Sequence, residues 1–444
     1  MQRTLIKDLE SKIGEEVKID GYVNTRRDQG KMIFMDFRDM TGLVQGVILP
    51  SATAALEVGK TVRPEYVVCV KGKVNKRPDR NIQADKQNGS IELEVLELSI
   101  LSEAAELPFE LGTEVNLDTH LDNLPFTLRS QRSRDIFTMQ ASLLDAYRKS
   151  LQNQHFMEFV APALVGGDAE GGAAAFHVEY FKDQSAYLAT SPQFYKQIMV
   201  GPFERAFTVA KIFRAEKSAT TRHLSEATCL DFEMGFIKDE TDVMKVLEQT
   251  IKDIVKGVGE KHADIFVRLN TTIPQIPESI PVFTLAEAQD LVAKEYNRTI
   301  EDNLDMSPED ERQICEYAKK NLNSDFVFIT RFPTKKRAFY TYEEPTEAPF
   351  SRGFDLLFRG LEILSGAQRI HNYTELVEKM KSRGLDPEKF SFYLQAFKYG
   401  MPPHGGCSIG LERFTARMLE IPNVKEATSF PRDMNRIDNL LTKN

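Results

Sequence analysis

No apolar run in this 444-residue chain approaches the roughly 20 residues needed to cross a bilayer. The opening residues Met1-Gln2-Arg3-Thr4-Leu5-Ile6-Lys7-Asp8 lack the apolar stretch of a secretory signal. Cysteine is scarce: Cys69, Cys229, Cys315 and Cys407 stand far apart, without CxxC spacing. That scatter argues against a zinc site and a disulfide framework, and for a reducing cytoplasm. Internal repeats and low-complexity tracts are missing too. Positive charge is in deficit, with 57 Lys and Arg against 66 Asp and Glu, a net charge of −9. Phosphate contacts need Lys and Arg, so the balance weighs mildly against nucleic-acid binding. An enzyme that grips RNA along one face can still be acidic elsewhere. Hydrophobic residues at 41% and charged residues at 28% suit a soluble globular chain of two or three domains.

Residues 15–100 read as five short strands broken by turns: Val17–Val23, Lys31–Arg38, Gly42–Leu49, Tyr66–Val74 and Ser90–Leu98. A helical patch, Ala52–Val58, lies between the third and fourth. Five strands with one helix there predict an OB-fold, against the alternative of another small β-barrel. In the second strand Ile33, Met35 and Phe37 share one face, and Phe34, Asp36 and Arg38 the other. Phe34 thus sits among polar neighbours, where an aromatic can stack on an unpaired base or be a half-buried surface residue. Gln45, polar within an apolar run, can hydrogen-bond a base edge.

A linker over residues 103–132 follows, with Pro108, Pro125 and little periodicity. Ser133 is then the expected cap of a helix carrying Ile136, Met139, Leu143, Leu144, Tyr147 and Leu151 at helical spacing. A second helix is expected over Ser307–Leu322, with Ser307 as cap and Pro308 in the first turn. The expected architecture is α+β: a β-barrel over 1–102, the linker, and a larger domain over 133–444.

Three clusters carry chemistry. Phe213-Arg214-Ala215-Glu216 precedes Arg222-His223-Leu224-Ser225-Glu226 and Asp231-Phe232-Glu233. On a strand, Arg214 and Glu216 point the same way, so a guanidinium can fork onto a phosphate while a carboxylate accepts from an amine. A salt-bridged strand is the plain alternative. The second cluster is Asp355 with Arg359-Gly360-Leu361-Glu362-Ile363-Leu364-Ser365-Gly366-Ala367-Gln368-Arg369. Asp355, Glu362 and Ser365 offer hard oxygens of the kind Mg²⁺ takes beside a triphosphate, and Arg369 can pair with a carboxylate substrate. A solvated charged face would look similar. In His404-Gly405-Gly406-Cys407-Ser408-Ile409-Gly410-Leu411-Glu412-Arg413, glycines ahead of an arginine let a flat or anionic ligand approach closely, or serve packing in a turn that opens a helix.

In combination and in this order the clusters are specific. Arg214 with Glu216, and Gly410-Leu411-Glu412-Arg413, resemble motifs 2 and 3 of class II aminoacyl-tRNA synthetases. The helix from Ser133 leading into Glu158-Phe159-Val160-Ala161-Pro162 resembles motif 1, the dimer element. Within the class the chain most resembles the aspartyl branch of archaeal and eukaryal type, over nearly its whole length. Glu170-Gly171-Gly172 is similar to that branch's mobile loop, and Ser191-Pro192-Gln193-Phe194-Tyr195-Lys196-Gln197 to its substrate-binding segment. Phe354-Asp355-Leu356 and Phe430-Pro431-Arg432-Asp433 also fit.

The resemblance implies an OB-fold that reads the anticodon, a catalytic domain built on an antiparallel sheet, and ATP-dependent attachment of L-aspartate to tRNA. Arg214 would hold the α-phosphate and substrate carboxylate, and Glu216 would face the adenine amino group. His223 and Arg413 would take the γ-phosphate end, with Arg222 and Gly410 in the ATP site. Asp355 and Glu362 would hold Mg²⁺, with Ser365 nearby. Lys196 and Arg369 would grip the side-chain carboxylate, while Glu170, Gln193 and Asp231 would surround the amino group, with Ser191 also in the aspartate site. Phe34 and Gln45 match anticodon-contacting positions. Arg26, Arg27 and the Pro78–Asn88 loop are candidates for choosing between tRNA-Asp and tRNA-Asn. A cytoplasmic homodimer without membrane contact is implied. Two positions depart from the pattern: Ser408 replaces the first glycine of motif 3, adding a side chain expected near the nucleotide, and Ala227 replaces an adenine-stacking aromatic.

The alternatives are an asparaginyl enzyme, an amidating paralogue that works without tRNA, and a non-catalytic tRNA-binding module. Lys196 speaks against the first, because a neutral amide would leave its charge poorly compensated. An intact N-terminal domain speaks against the second, and the retained Arg214 and Arg413 against the third.

Overall fold

The structure is a computed structural model describing residues 1–84, 86–167, 175–218 and 220–437. Contacts divide the chain into two compact units, Met1–Glu110 and Leu111–Asn444.

The first unit is a closed barrel of β1 (Glu16–Asp28), β2 (Ile33–Asp39), β3 (Gly42–Ile48), β4 (Val67–Lys76) and β5 (Ile91–Ser102), in the order β1-β2-β3-β5-β4. Helix α1 (Thr53–Thr61) lies between β3 and β4, as expected of an OB-fold. Alternation drives closure: Ile33, Met35 and Phe37 are fully buried, and pack with Val17, Ile19, Val68, Val70 and Leu93. A bulge in β1 between Val23 and Thr25 inverts the alternation downstream. Arg27 therefore pairs opposite Phe34, and Arg26 opposite the buried Met35.

In the second unit, two short helices, Leu117–Asp122 and Leu124–Thr127, occupy part of the stretch expected as a plain linker. Helix α2 (Gln131–Asn153) starts earlier than expected. Its cap is Ser130, whose hydroxyl accepts from the Ser133 amide, so Ser133 is inside the first turn. The central sheet contains β6 (Met157–Glu158), β7 (Arg205–Phe213), β8 (Glu226–Gly235), β9 (Val282–Thr284), β10 (Phe326–Thr330), β11 (Gly353–Phe358), β12 (Leu361–Gln368) and β13 (His404–Gly410). Their order is β9-β10-β11-β12-β13-β8-β7-β6, antiparallel except at the two outermost pairs. Helix α3 (Gln193–Phe203) precedes β7, α4 (Glu240–Lys261) follows β8, and α5 (Pro308–Leu322) is capped by Ser307 as expected. Helix α6 (Leu411–Met418) continues directly from β13.

One face of this sheet builds the core. Leu230 and Phe232 of β8, and Cys407 and Ile409 of β13, pack with Met139, Leu143 and Tyr147 of α2 and Leu247 and Ile251 of α4. By the period of two, Asp231, Glu233, Gly406 and Ser408 fall on the other face, and there the cleft opens.

Candidate active site

The cleft is a cavity of about 380 Å³. Among the described residues its walls carry Lys196, Arg214, Lys336, Arg337, Arg369 and Arg413 against Glu216, Glu362 and Glu412. An acidic chain has thus concentrated cations around one hollow, which suits a polyanionic ligand.

At the floor, α3 presents Gln193, Lys196 and Gln197 at i, i+3 and i+4, all buried. Lys196 Nζ donates to Asp231 Oδ1 at 2.6 Å and to the Cys407 carbonyl at 3.0 Å, with Glu233 Oε2 at 3.4 Å. Arg369 Nε donates to Glu233 Oε1 at 2.8 Å, and its terminal nitrogen reaches the Gly406 carbonyl at 2.9 Å and Gln193 Oε1 at 3.4 Å. Burial alone would strip the charge from these groups. The facing carboxylates outweigh it and raise Lys196 and Arg369, while the two cations lower Glu233. The result is two buried cations held by two buried anions. Removing one partner would strand the others.

Ser408, expected near a nucleotide, lines the cavity, and its hydroxyl donates to Asp231 Oδ2 at 2.9 Å. The glycine-rich segment is a strand and not a turn. A Cβ at Gly406 would lie 2.0 Å from the Phe232 carbonyl oxygen and 2.3 Å from Glu233 Oε2, which explains the bare backbone there.

Further up the wall, Arg214 and Glu216 follow the end of β7, beyond the strand itself, with 3.9 Å between guanidinium and carboxylate. The Arg413 guanidinium donates to the backbone carbonyls of Glu362 at 3.1 Å and Arg222 at 3.4 Å. Burial and the Arg413 charge lower His223, whose Nδ1 lies 2.5 Å from the Thr220 hydroxyl. Both effects favour the neutral imidazole.

Ser191, Gln193, Lys196, Arg214, Glu216, His223, Glu362, Ser365, Arg369, Gly410 and Arg413 all line the cavity. Three expected site residues do not. Asp231 has no exposed surface, because it lies behind Lys196. Arg222 is bonded to Glu311 at 3.2 Å. Asp355 is gripped by Arg337 at 2.7 and 2.9 Å, and the same guanidinium donates to Ser365 Oγ at 2.9 Å. Glu170, with Gly171 and Gly172, lies outside the described residues.

Sequence reasoning missed Arg337, although the basic run Lys335-Lys336-Arg337 was a signal for it. It also assigned no part to Glu311, whose carboxylate accepts from the Glu362 amide, or to Glu412, which accepts from the Thr228 amide through both oxygens at 3.0 Å.

Residues 116–434 match the family of tRNA synthetases class II (D, K and N), and residues 17–101 match the OB-fold nucleic acid binding domain. The chain belongs to the class II tRNA synthetases. It is 43% identical over 439 residues to an aspartate–tRNA(Asp/Asn) ligase of Thermus thermophilus, covering 98% of this chain and 99% of the relative. A ligase of the same description from Deinococcus radiodurans is 42% identical, with the same coverage. Among solved structures, asparaginyl-tRNA synthetase of Pyrococcus horikoshii complexed with asparaginyl-adenylate aligns with a TM-score of 0.91 at 28% identity, covering 98% and 99% of the two chains.

In the barrel of this synthetase, Phe34 and Gln45 line an open hollow together with Arg77, Arg80 and Asn81. Arg27 stands on the same face, 3.4 Å from Gln45 Oε1 and 3.6 Å from Asp36. Arg26 does not join them. The bulge turns it inward, where it donates to the Gly59 carbonyl at 2.8 Å and pairs with Asp28. The four cysteines are free thiols, and no described helix is long and apolar enough to cross a membrane.

Proposed function

We propose that this synthetase attaches L-aspartate to tRNA-Asp and, like the relatives named Asp/Asn, also to tRNA-Asn. The observation that carries the aspartate assignment is the pair of buried cations Lys196 and Arg369 at the cleft floor. Their charges are balanced by Asp231 and Glu233, so the choice lies in hydrogen bonding: a substrate carboxylate would accept from both cations, whereas an amide would turn its NH₂ against one of them, donor against donor.

In the first step the aspartate α-carboxylate attacks the α-phosphorus of ATP, forming a new P–O bond as the bond to pyrophosphate breaks. Arg214 stabilises the charge building on the α-phosphate, and Arg413 with His223 receives the far end of the triphosphate. Glu216 accepts from the adenine amino group, while Gly410 leaves the approach open. Arg222, fixed by Glu311, positions the Arg413 guanidinium through its backbone carbonyl. Ser191, Gln193 and Asp231 surround the amino acid, with Asp231 acting through Lys196 and Ser408. The 3′-terminal hydroxyl of tRNA then attacks the adenylate carbonyl and AMP leaves. Positioning and charge neutralisation account for the rate, without a covalent enzyme intermediate.

Glu362, which lines the cavity, is suited to Mg²⁺ bound chiefly through substrate phosphates, and Asp355 would join it on release from Arg337. The Glu362 carboxyl is pushed up to about 7 by burial and by neighbouring Asp355, a strain that a divalent cation relieves. When bound, that ion would neutralise phosphate charge. Ser365 stays within reach through the Arg337 bridge.

On the barrel, Phe34 stacks on an unpaired anticodon base and Gln45 reads an edge, with Arg27 beside them. A homodimer is supported by the exposed apolar segment around Pro162, where Val160 is 95% exposed. Free thiols throughout suit the cytoplasm.

Aminoacylation of tRNA-Asp and tRNA-Asn transcripts with labelled aspartate and asparagine tests the reading. Aspartate on both transcripts is the expected result. Preferred asparagine, the substrate suggested by the structural likeness to the asparaginyl enzyme, would overturn the assignment to Lys196 and Arg369.

A further inference from the structure

Behind the cleft floor a chain of buried polar groups has no assigned part in the reaction. His404 Nδ1 lies 2.8 Å from the Pro402 carbonyl, which can only accept, so the ring proton is on Nδ1. Nε2 is left as an acceptor, and the Gln197 amide donates to it at 2.8 Å. That fixes the orientation of Gln197, whose Oε1 then accepts from Gln193 Nε2 and from the Tyr393 hydroxyl, both at 3.0 Å. Gln193 is fixed in turn. Its NH₂ is spent inward, and its Oε1 faces Arg369 at 3.4 Å and the cavity.

We propose that Gln197, His404 and Tyr393 form a positioning relay that locks Gln193 with its carbonyl oxygen toward the bound amino acid and Arg369. The inference rests on the aspartate-activating reading. Every link has one permitted direction, because a carbonyl at the far end admits only a donor. Were Gln193 to flip, its NH₂ would meet the Arg369 guanidinium, donor against donor, and offer the substrate ammonium a donor as well. Burial holds His404 down at about 4, so the ring stays neutral and the direction of the relay does not reverse at neutral pH. Tyr393 is itself held by a stacked contact with Phe194, centroids 4.2 Å apart.

Gln197→Met keeps the volume and removes every hydrogen bond at the centre of the relay. Measured by aspartate-dependent ATP–pyrophosphate exchange, it should raise KM for aspartate about tenfold while KM for ATP stays within about twofold. Tyr393→Phe, which removes one of two donors to Gln197, should raise KM for aspartate by about threefold. Thermal unfolding identifies a variant that fails to fold, and Tyr393→Phe then carries the test. Unchanged KM for aspartate, or equal rises for both substrates, would overturn the relay. Absence of aspartate-dependent exchange in the wild type would instead overturn the functional reading. The relay is then judged by ¹⁵N-histidine spectra of the wild-type chain: a buried Nδ1–H tautomer is expected, and an Nε2–H tautomer would sink it.

Discussion

Beside Phe34 on the barrel, Arg27 stays wet: its side chain is 55% exposed, and its contacts with Asp36 and Gln45 are 3.4 Å or longer. At the cleft floor, Lys196, Asp231 and Glu233 have no exposed surface, and each charge has a partner within 3.4 Å. The difference follows from solvent. A wet arginine can wait for its ligand without a partner, because water compensates it and exposed pairs contribute little. A buried lysine cannot, so the cleft arrives with its counterions built in, and substrate joins a network that is already neutral. Recognition on the barrel is therefore expected to be modular, and recognition in the cleft collective.

Substitutions can sharpen or break that contrast. The largest effect is expected from Arg214→Ala, which should lower the rate of pyrophosphate exchange about 10³-fold without changing the unfolding midpoint, since the side chain is surface-lining. Equal loss of stability would mean that Arg214 belongs to the collective network. Lys196→Met strands Asp231 and leaves Glu233 to Arg369 alone, so chemical denaturation should show a loss of about 3–5 kcal/mol alongside lost activity. A loss below about 1 kcal/mol would place the cleft in the same class as the barrel surface.

The buried His404 gives the cleft unit a pH signature. Its folded pKa, about 4, lies below the ordinary 6.5, so the unfolded chain takes up the proton first as pH falls. Its contribution is complete above pH 6.5 and is lost progressively down to about 4, at about 1.4 kcal/mol per unit. Between pH 6.5 and 5.5 denaturation should show a loss of about 1 kcal/mol in the wild type, since the unfolded imidazole is half protonated at the start, and less in His404→Gln. Phe34→Ala should weaken tRNA by about 1–3 kcal/mol, seen as a raised KM in charging, and leave pyrophosphate exchange untouched. Smallest of all, Arg27→Ala should raise the tRNA KM severalfold at low salt, while Arg26→Ala acts on stability through Gly59.

The barrel was legible because alternation marks a two-faced strand directly, and Ile33, Met35 and Phe37 are buried as their spacing implies. Arg26 was not, because the bulge after Val23 inverts the faces and nothing in a period of two announces it. In the cleft, Arg214, Lys196, Arg369 and Arg413 were legible as motif residues. Arg337 was not: it reaches Asp355 across 18 positions, a distance that local pattern does not span. The relay was hidden for a similar reason. Gln197 and His404 are 207 residues apart and meet only when α3 is laid over β13.

The missing side chain at Gly406 has a practical consequence for protein engineering. Carbonyl and carboxylate oxygens crowd that position so closely that even alanine would have to displace Glu233, and with it Arg369. A library meant to reshape the pocket for a different amino acid would lose its members there to misfolding. Variation is better spent at Ser408, where substitution by glycine creates room and frees one oxygen of Asp231.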